Sequence, residues 1–139
     1  ISREHHQGLL LCFKIRQGLK NDTEVDRIVR YCKWFYEEYL IPHFRNEEKH
    51  LFPILGFQHK DIQKLMDQHD QIHDFFKKES YEKEDLKSFE KLLNDHIRYE
   101  ERKVFNEIQE KANEGDYQYL MQKVHDTKFV ENTEDKFWE

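Results

Sequence analysis

Apolar residues along this chain return every three to four positions almost from end to end, the period of an amphipathic helix and not the alternation of a strand. A first stripe, Leu9, Cys12, Phe13 and Leu19, marks a helix from Ser2 to Lys20. A second, Ile28, Cys32, Phe35, Tyr39, His43, Glu47 and Leu51, marks one from Glu24 to Leu51. A third runs from Lys60 to Lys78 through Ile62, Leu65, His69, Ile72, His73 and Phe76. A fourth runs from Lys83 to Ala112 through Phe89, Leu93, His96, Glu100, Val104 and Ile108. Asn21, Asp22 and Thr23 separate the first two helices and offer a cap to the second. Pro42 predicts a kink or a lost hydrogen bond inside the second helix, which Pro53 and Gly56 are expected to end. A shorter helix is expected from Asp116 to His125. The prediction is an all-α fold: an up-down-up-down four-helix bundle with a short fifth C-terminal helix. The bundle would span residues 1–125, followed by a polar tail, 126–139, that closes with Phe137 and Trp138.

Composition supports this outline. The chain has 139 residues, enough for one core, and only 4 glycines and 2 prolines, too little punctuation for a β-rich fold. Its 23 Lys+Arg against 29 Asp+Glu form no basic stripe, which argues against nucleic acid and against an anionic membrane surface. There is no apolar run long enough to cross a bilayer and no signal-peptide pattern, so a cytoplasmic location is expected. Cys12 and Cys32 form no CxxC and read as two buried, reduced thiols.

The candidate chemistry lies in the 9 histidines. The phrase HFRNEEKHLFP, His43 to Pro53, is nearly repeated as HIRYEERKVFN, His96 to Asn106. Residues four apart share a helix face, so His43 and Glu47, His96 and Glu100, and His69 and His73 point together, all on the apolar stripe. A carboxylate there is costly unless something compensates it, and a metal ion compensates two at once. His5 and His6 bring histidine to the remaining long helix, whereas His50, His59 and His125 read as solvated. Five histidines and two glutamates are too many donors for a four-coordinate zinc site and too rich in nitrogen for calcium or magnesium. They suit two ions sharing carboxylate bridges, with iron the common choice.

These motifs resemble the hemerythrin family, in its bacterial hemerythrin-like (HHE cation-binding) branch. The matching phrases are REHHQGLLL from Arg3, HFRNEEKHLFP from His43, MDQHDQIHDFF from Met66 and HIRYEER from His96, in family order. The resemblance implies a non-haem di-iron centre: two iron ions, Fe2+ or Fe3+, joined by an oxo or hydroxo bridge. His69, His73 and His96 would hold one ion. His43 and a first-helix histidine would hold the other, and Glu47 with a fourth-helix glutamate would bridge them. His5 is favoured over His6 because it follows the family's acidic-then-histidine pattern. Glu100 is favoured over Glu101 because it matches Glu47 in the internal repeat, although the family's carboxylate lies five residues after the histidine. Leu9, Ile72 and Ile97 are candidates to line a dry cavity. The implied function is binding of O2 or another small diatomic ligand, for storage, delivery or sensing. The alternatives are a redox enzyme acting on peroxide or nitric oxide, with Tyr36, Tyr39 or Tyr99 as relays, and a regulator of iron or redox homeostasis.

Overall fold

The computed structural model describes residues 3–125 and 129–139, with the side chains of 123–125 left aside. The expected helix start at Ser2, the tail's first residues and the surroundings of His125 therefore lie outside the described residues. Everything regular among the described residues is helical. Helix α1 (Arg3–Lys20) ends where Asp22 turns left-handed at φ 59° and the Thr23 N–H reaches back to the Gly18 carbonyl at 2.9 Å. The second long helix begins as α2 (Val25–Phe35). Its N-cap position is Glu24 with no side-chain cap, so the cap expected from Asn21 to Thr23 is not made.

That helix is not uniformly α. It widens into a π turn at Tyr36–Leu40, resumes as α3 (Ile41–Asn46), widens again at Glu47–Leu51 and finishes as α4 (Phe52–Leu55). Each of these turns stands just before a proline, Pro42 or Pro53. Proline has no N–H to give and its ring crowds the carbonyl four residues back. The i→i+5 pattern absorbs that misfit, so Pro53 does not end the helix as expected. Gly56, at φ 91°, does.

Helix α5 (Lys60–Phe75) starts from His59, whose Nδ1 accepts the Asp61 N–H at 3.1 Å. Helix α6 (Lys83–Tyr99) opens with a capping box between Glu82 and Asp85. It passes through a third π turn, Glu100–Val104, into α7 (Phe105–Lys111), and α8 (Glu114–His125) follows. No proline follows this third turn. Proline is therefore not the common cause, and what the Glu47 and Glu100 turns share is a glutamate facing the interior.

The core is divided. One apolar cluster holds Ile15, Ile28, Phe35, Phe44, Phe89 and Leu93 among others, and a second holds Leu51, Phe52, Ile62, Leu65, Val104 and Ile108. Between them the same helices present His43, Glu47, His69, His96 and Glu100, all buried. The α1 face is rotated from the expected one: His5, Gly8, Leu11, Cys12 and Ile15 are inward, while Phe13 is exposed. Both thiols are buried and unpaired as disulfide, and burial raises that of Cys12 to about 12.

Residues 129–139 run against α1 and α2 as a strap. Phe137 is buried beside Gly18 and Ile28, where any Cβ on Gly18 would come within 2.9 Å of both. Thr23 Oγ1 donates to the Phe137 carbonyl at 3.2 Å, and Arg27 makes two hydrogen bonds to Asp135, at 2.7 and 3.0 Å. Lys14, itself buried, donates to Tyr31 at 2.9 Å and to Glu131 at 2.6 Å.

Candidate metal centre

Four helices each bring imidazole or carboxylate into the layer between the two apolar clusters. Donor atoms of His5, His43, Glu47 and Glu100 lie within 4.8 Å of one another, and so do those of Glu47, His69 and His96. Glu47 belongs to both groups. Its Oε2 stands 3.4 Å from His43 Nε2 and its Oε1 3.2 Å from His69 Nε2. Glu100 spans the groups as well, with Oε1 at 3.2 Å from both His5 Nε2 and His96 Nε2. Each glutamate thus reaches a histidine of both groups.

The opposite edge of each ring is occupied. His5 Nδ1 meets Glu101 at 2.5 Å, His69 Nδ1 meets Glu48 at 2.7 Å and His96 Nδ1 meets Gln68 at 2.7 Å. His43 Nδ1 faces Glu4 at 3.3 Å. On His69 and His96, an Nδ1–H donated outward leaves the Nε2 lone pair pointing inward, the tautomer a metal requires; His5, held between Glu100 and Glu101, would give up its inward proton to a metal. Aromatic rings fix the imidazole planes: Phe44 stacks on His69 at 3.9 Å and Phe105 on His5 at 5.3 Å.

The electrostatics are those of ionisable groups crowded together and buried. Burial and the neighbouring Glu100 push the Glu47 carboxyl well above the usual range. Burial opposes charge on Glu100 too, but the nearby His96, Glu47 and His5 outweigh it and hold the carboxyl well below the usual range. Burial lowers His69 to about 4, against the pull of Glu48. On His5, hydrogen bonds with Glu100 and Glu101 overcome burial and raise the ring to about 9. Both oxygens of Glu100 and the Nε2 atoms of His69 and His96 are buried without a hydrogen bond. Such atoms cost free energy in a dry core, and a cation between them removes that cost. The residues present therefore fit a metal ion.

Not every expected side chain joins the layer. His6 is exposed. Glu101 lies outside, as the partner of His5. His73 stands outside both donor groups, half-buried, with Nδ1 2.5 Å from the Tyr36 hydroxyl. His50 is half-buried and not in the centre. The outer partners Glu4, Glu48 and Gln68 escaped sequence reasoning. Glu4 and Glu48 each adjoin a candidate ligand, a signal that was present but ordinary.

A third cluster, His59, Asp61 and Glu107, has another explanation. His59 Nδ1 caps α5, which leaves its proton on Nε2, facing Glu107 at 3.6 Å. Burial and a hydrogen bond to Asp61 raise Glu107. Burial opposes charge on Asp61, but Tyr99, Glu107 and Lys103 hold it low. That is a capping network sharing a proton.

Beside the centre is a cavity of about 20 Å³. His5, His43 and His96 form its inner wall; Phe35, Leu40, Phe44, Leu93, Ile97 and Phe129 form most of the rest. Ile97 lines it as expected, whereas Leu9 and Ile72 do not.

Buried imidazoles and carboxylates gathered in an all-helical frame define a cation-binding helical protein. The chain matches the family model described as hemerythrin HHE cation binding domain over residues 1–108, and it belongs to that family. No curated protein and no solved structure matches it. No helix among the described residues is long and apolar enough to cross a membrane.

Proposed function

We propose that this protein holds two iron ions with a solvent-derived bridge, and that it binds O2 or a ligand of the same size. In this reading the four long helices run up-down-up-down around the centre. His5 and His43 serve one ion, His69, His73 and His96 the other, and Glu47 and Glu100 join them. Ferrous iron held by these residues would supply the electrons for reaction with O2. The protein's own residues orient the donors through Glu101, Glu4, Glu48 and Gln68 and keep water away from them.

The observation that carries the reading is the cavity against His5, His43 and His96. Its volume of about 20 Å³ suits one molecule of water size, and its walls are mainly apolar. A neutral diatomic molecule meets both conditions better than an ion or a larger substrate. One observation favours the enzymatic alternative: Glu4 lies in the cavity wall, 3.3 Å from His43 Nδ1, where it can pass protons to peroxide or to a product of nitric oxide.

The test is metal content after purification without oxygen. About two irons per chain are expected; no bound transition metal even after reconstitution with ferrous iron would overturn the proposal. On adding O2, an adduct that reverts under vacuum marks a binding protein. Rapid decay to the ferric state, with peroxide or nitric oxide consumed in turnover, marks the enzyme. His73→Ala should lower the iron content toward about one per chain by leaving one ion short of a ligand. An unchanged content removes His73 from the ligand set.

A further inference from the structure

All but one of the cavity's lining residues come from α1, α6 or the second long helix; the exception is Phe129, from the strap. We propose that Phe129 is the door of the cavity and sets which molecules reach the centre. The inference rests on the diatomic-ligand reading above.

The helical walls are packed together along their whole length, whereas the strap is fixed at separate points. At this point, among the described residues, the strap's backbone is hydrogen-bonded to one side chain of the helices: the Tyr39 hydroxyl donates to the Val130 carbonyl at 3.2 Å and accepts the Val130 N–H at 2.8 Å. The Phe129 ring rests on Tyr39 at 4.8 Å, Trp34 at 6.0 Å and Phe35 at 6.1 Å, and its one contact with a charge, the Lys14 ammonium over its face, is long at 5.9 Å. Farther along, the strap is fixed independently by Glu131 on Lys14, Asp135 on Arg27, and Phe137 in the core. The ring can therefore swing out while the rest stays docked, a local opening of low cost. An apolar ring admits small neutral molecules as it moves and offers nothing to a hydrated ion. It thereby limits both the size and the charge of what passes.

The test is xenon exchange with the cavity, followed by xenon NMR on the purified protein with and without iron, because dry apolar cavities take up xenon. Phe129→Ala should speed exchange about tenfold or more by removing the ring from the barrier. Phe129→Leu, which restores apolar bulk, should return it toward the parent value. Tyr39→Phe keeps the cavity wall but cuts both bonds to Val130, and should accelerate exchange to a lesser degree. In protein reconstituted with ferrous iron, binding of nitric oxide, a neutral diatomic molecule, followed by absorption should accelerate in the same order. Equal xenon exchange in the parent and Phe129→Ala, with unchanged circular dichroism, overturns the door. Failure of the diatomic-ligand reading looks different: no iron or no O2 adduct in the parent, whatever xenon does.

Discussion

The part each histidine can play is decided by what its Nδ1 touches. Gln68 is the clearest case because it is uncharged: its Oε1 accepts from His96 Nδ1–H at 2.7 Å and so directs Nε2 at Glu100. Gln68→Leu keeps the volume and removes the acceptor. Metal affinity should fall about 10- to 100-fold with the fold retained, as read by competition with a chelator; parent-like affinity would show that Gln68 does not hold the ring. At this scale the sequence was informative where a polar residue broke an apolar stripe. His43, Glu47, His69, His96 and Glu100 stood out for that reason. It was ambiguous between neighbours, His5 or His6 and Glu100 or Glu101, since adjacent residues differ by about 100° of helix rotation and a short motif has no scale that fine. Gln68 and Glu48 were invisible, because a polar residue at the edge of a stripe looks like surface.

The helices hid a second feature in plain sight. Stripe positions from Phe35 through Tyr39, His43 and Glu47 to Leu51 advance by four every time, and those from His96 to Ile108 do the same. In a pure α-helix the first run would drift about 160° around the axis. Two π turns take up most of that drift and one takes up the second, so the run of fours was the sequence's record of them. The strap, by contrast, has no periodicity to read, and its docking depends on contacts with residues far away in the chain. It carries its own pH dependence. Burial opposes charge on Glu131, but Lys14 and Tyr31 outweigh it and lower the carboxyl; Arg27 lowers Asp135. A folded-state value below the unfolded one gives stability that is complete above the ordinary carboxylate range and is lost as pH falls through the lowered value. Below about pH 4 the strap should loosen first, seen as a change in tryptophan fluorescence while far-UV circular dichroism holds. Superimposed transitions would contradict separate release.

Across the whole molecule, the layer of buried donors is a cost that the two apolar clusters carry. A cation that binds only the folded state offsets it, by about 4 kcal/mol at a free concentration a thousandfold above Kd. Anaerobic ferrous iron should therefore raise Tm by about 10 °C or more, and a chelator should reverse the shift. No change in Tm on adding iron would mean that the donor layer is already satisfied without metal. The all-helical class was legible because the four stripes are long. The division of the core was not, since it arises only when stripes from different helices are brought into register.

The π turns also have a genetic consequence. Each adds one residue to a helix while the α segments on either side keep their faces. Losing one codon within Glu100–Val104 would close that turn to an ordinary α turn and leave Ile108 in its cluster, while shortening the step between Glu100 and Val104 across the donor layer. Such a deletion would pass as a repair of the helix and register as a lesion only at the metal. In these two helices, residue number is a heritable property of the centre, separate from residue identity.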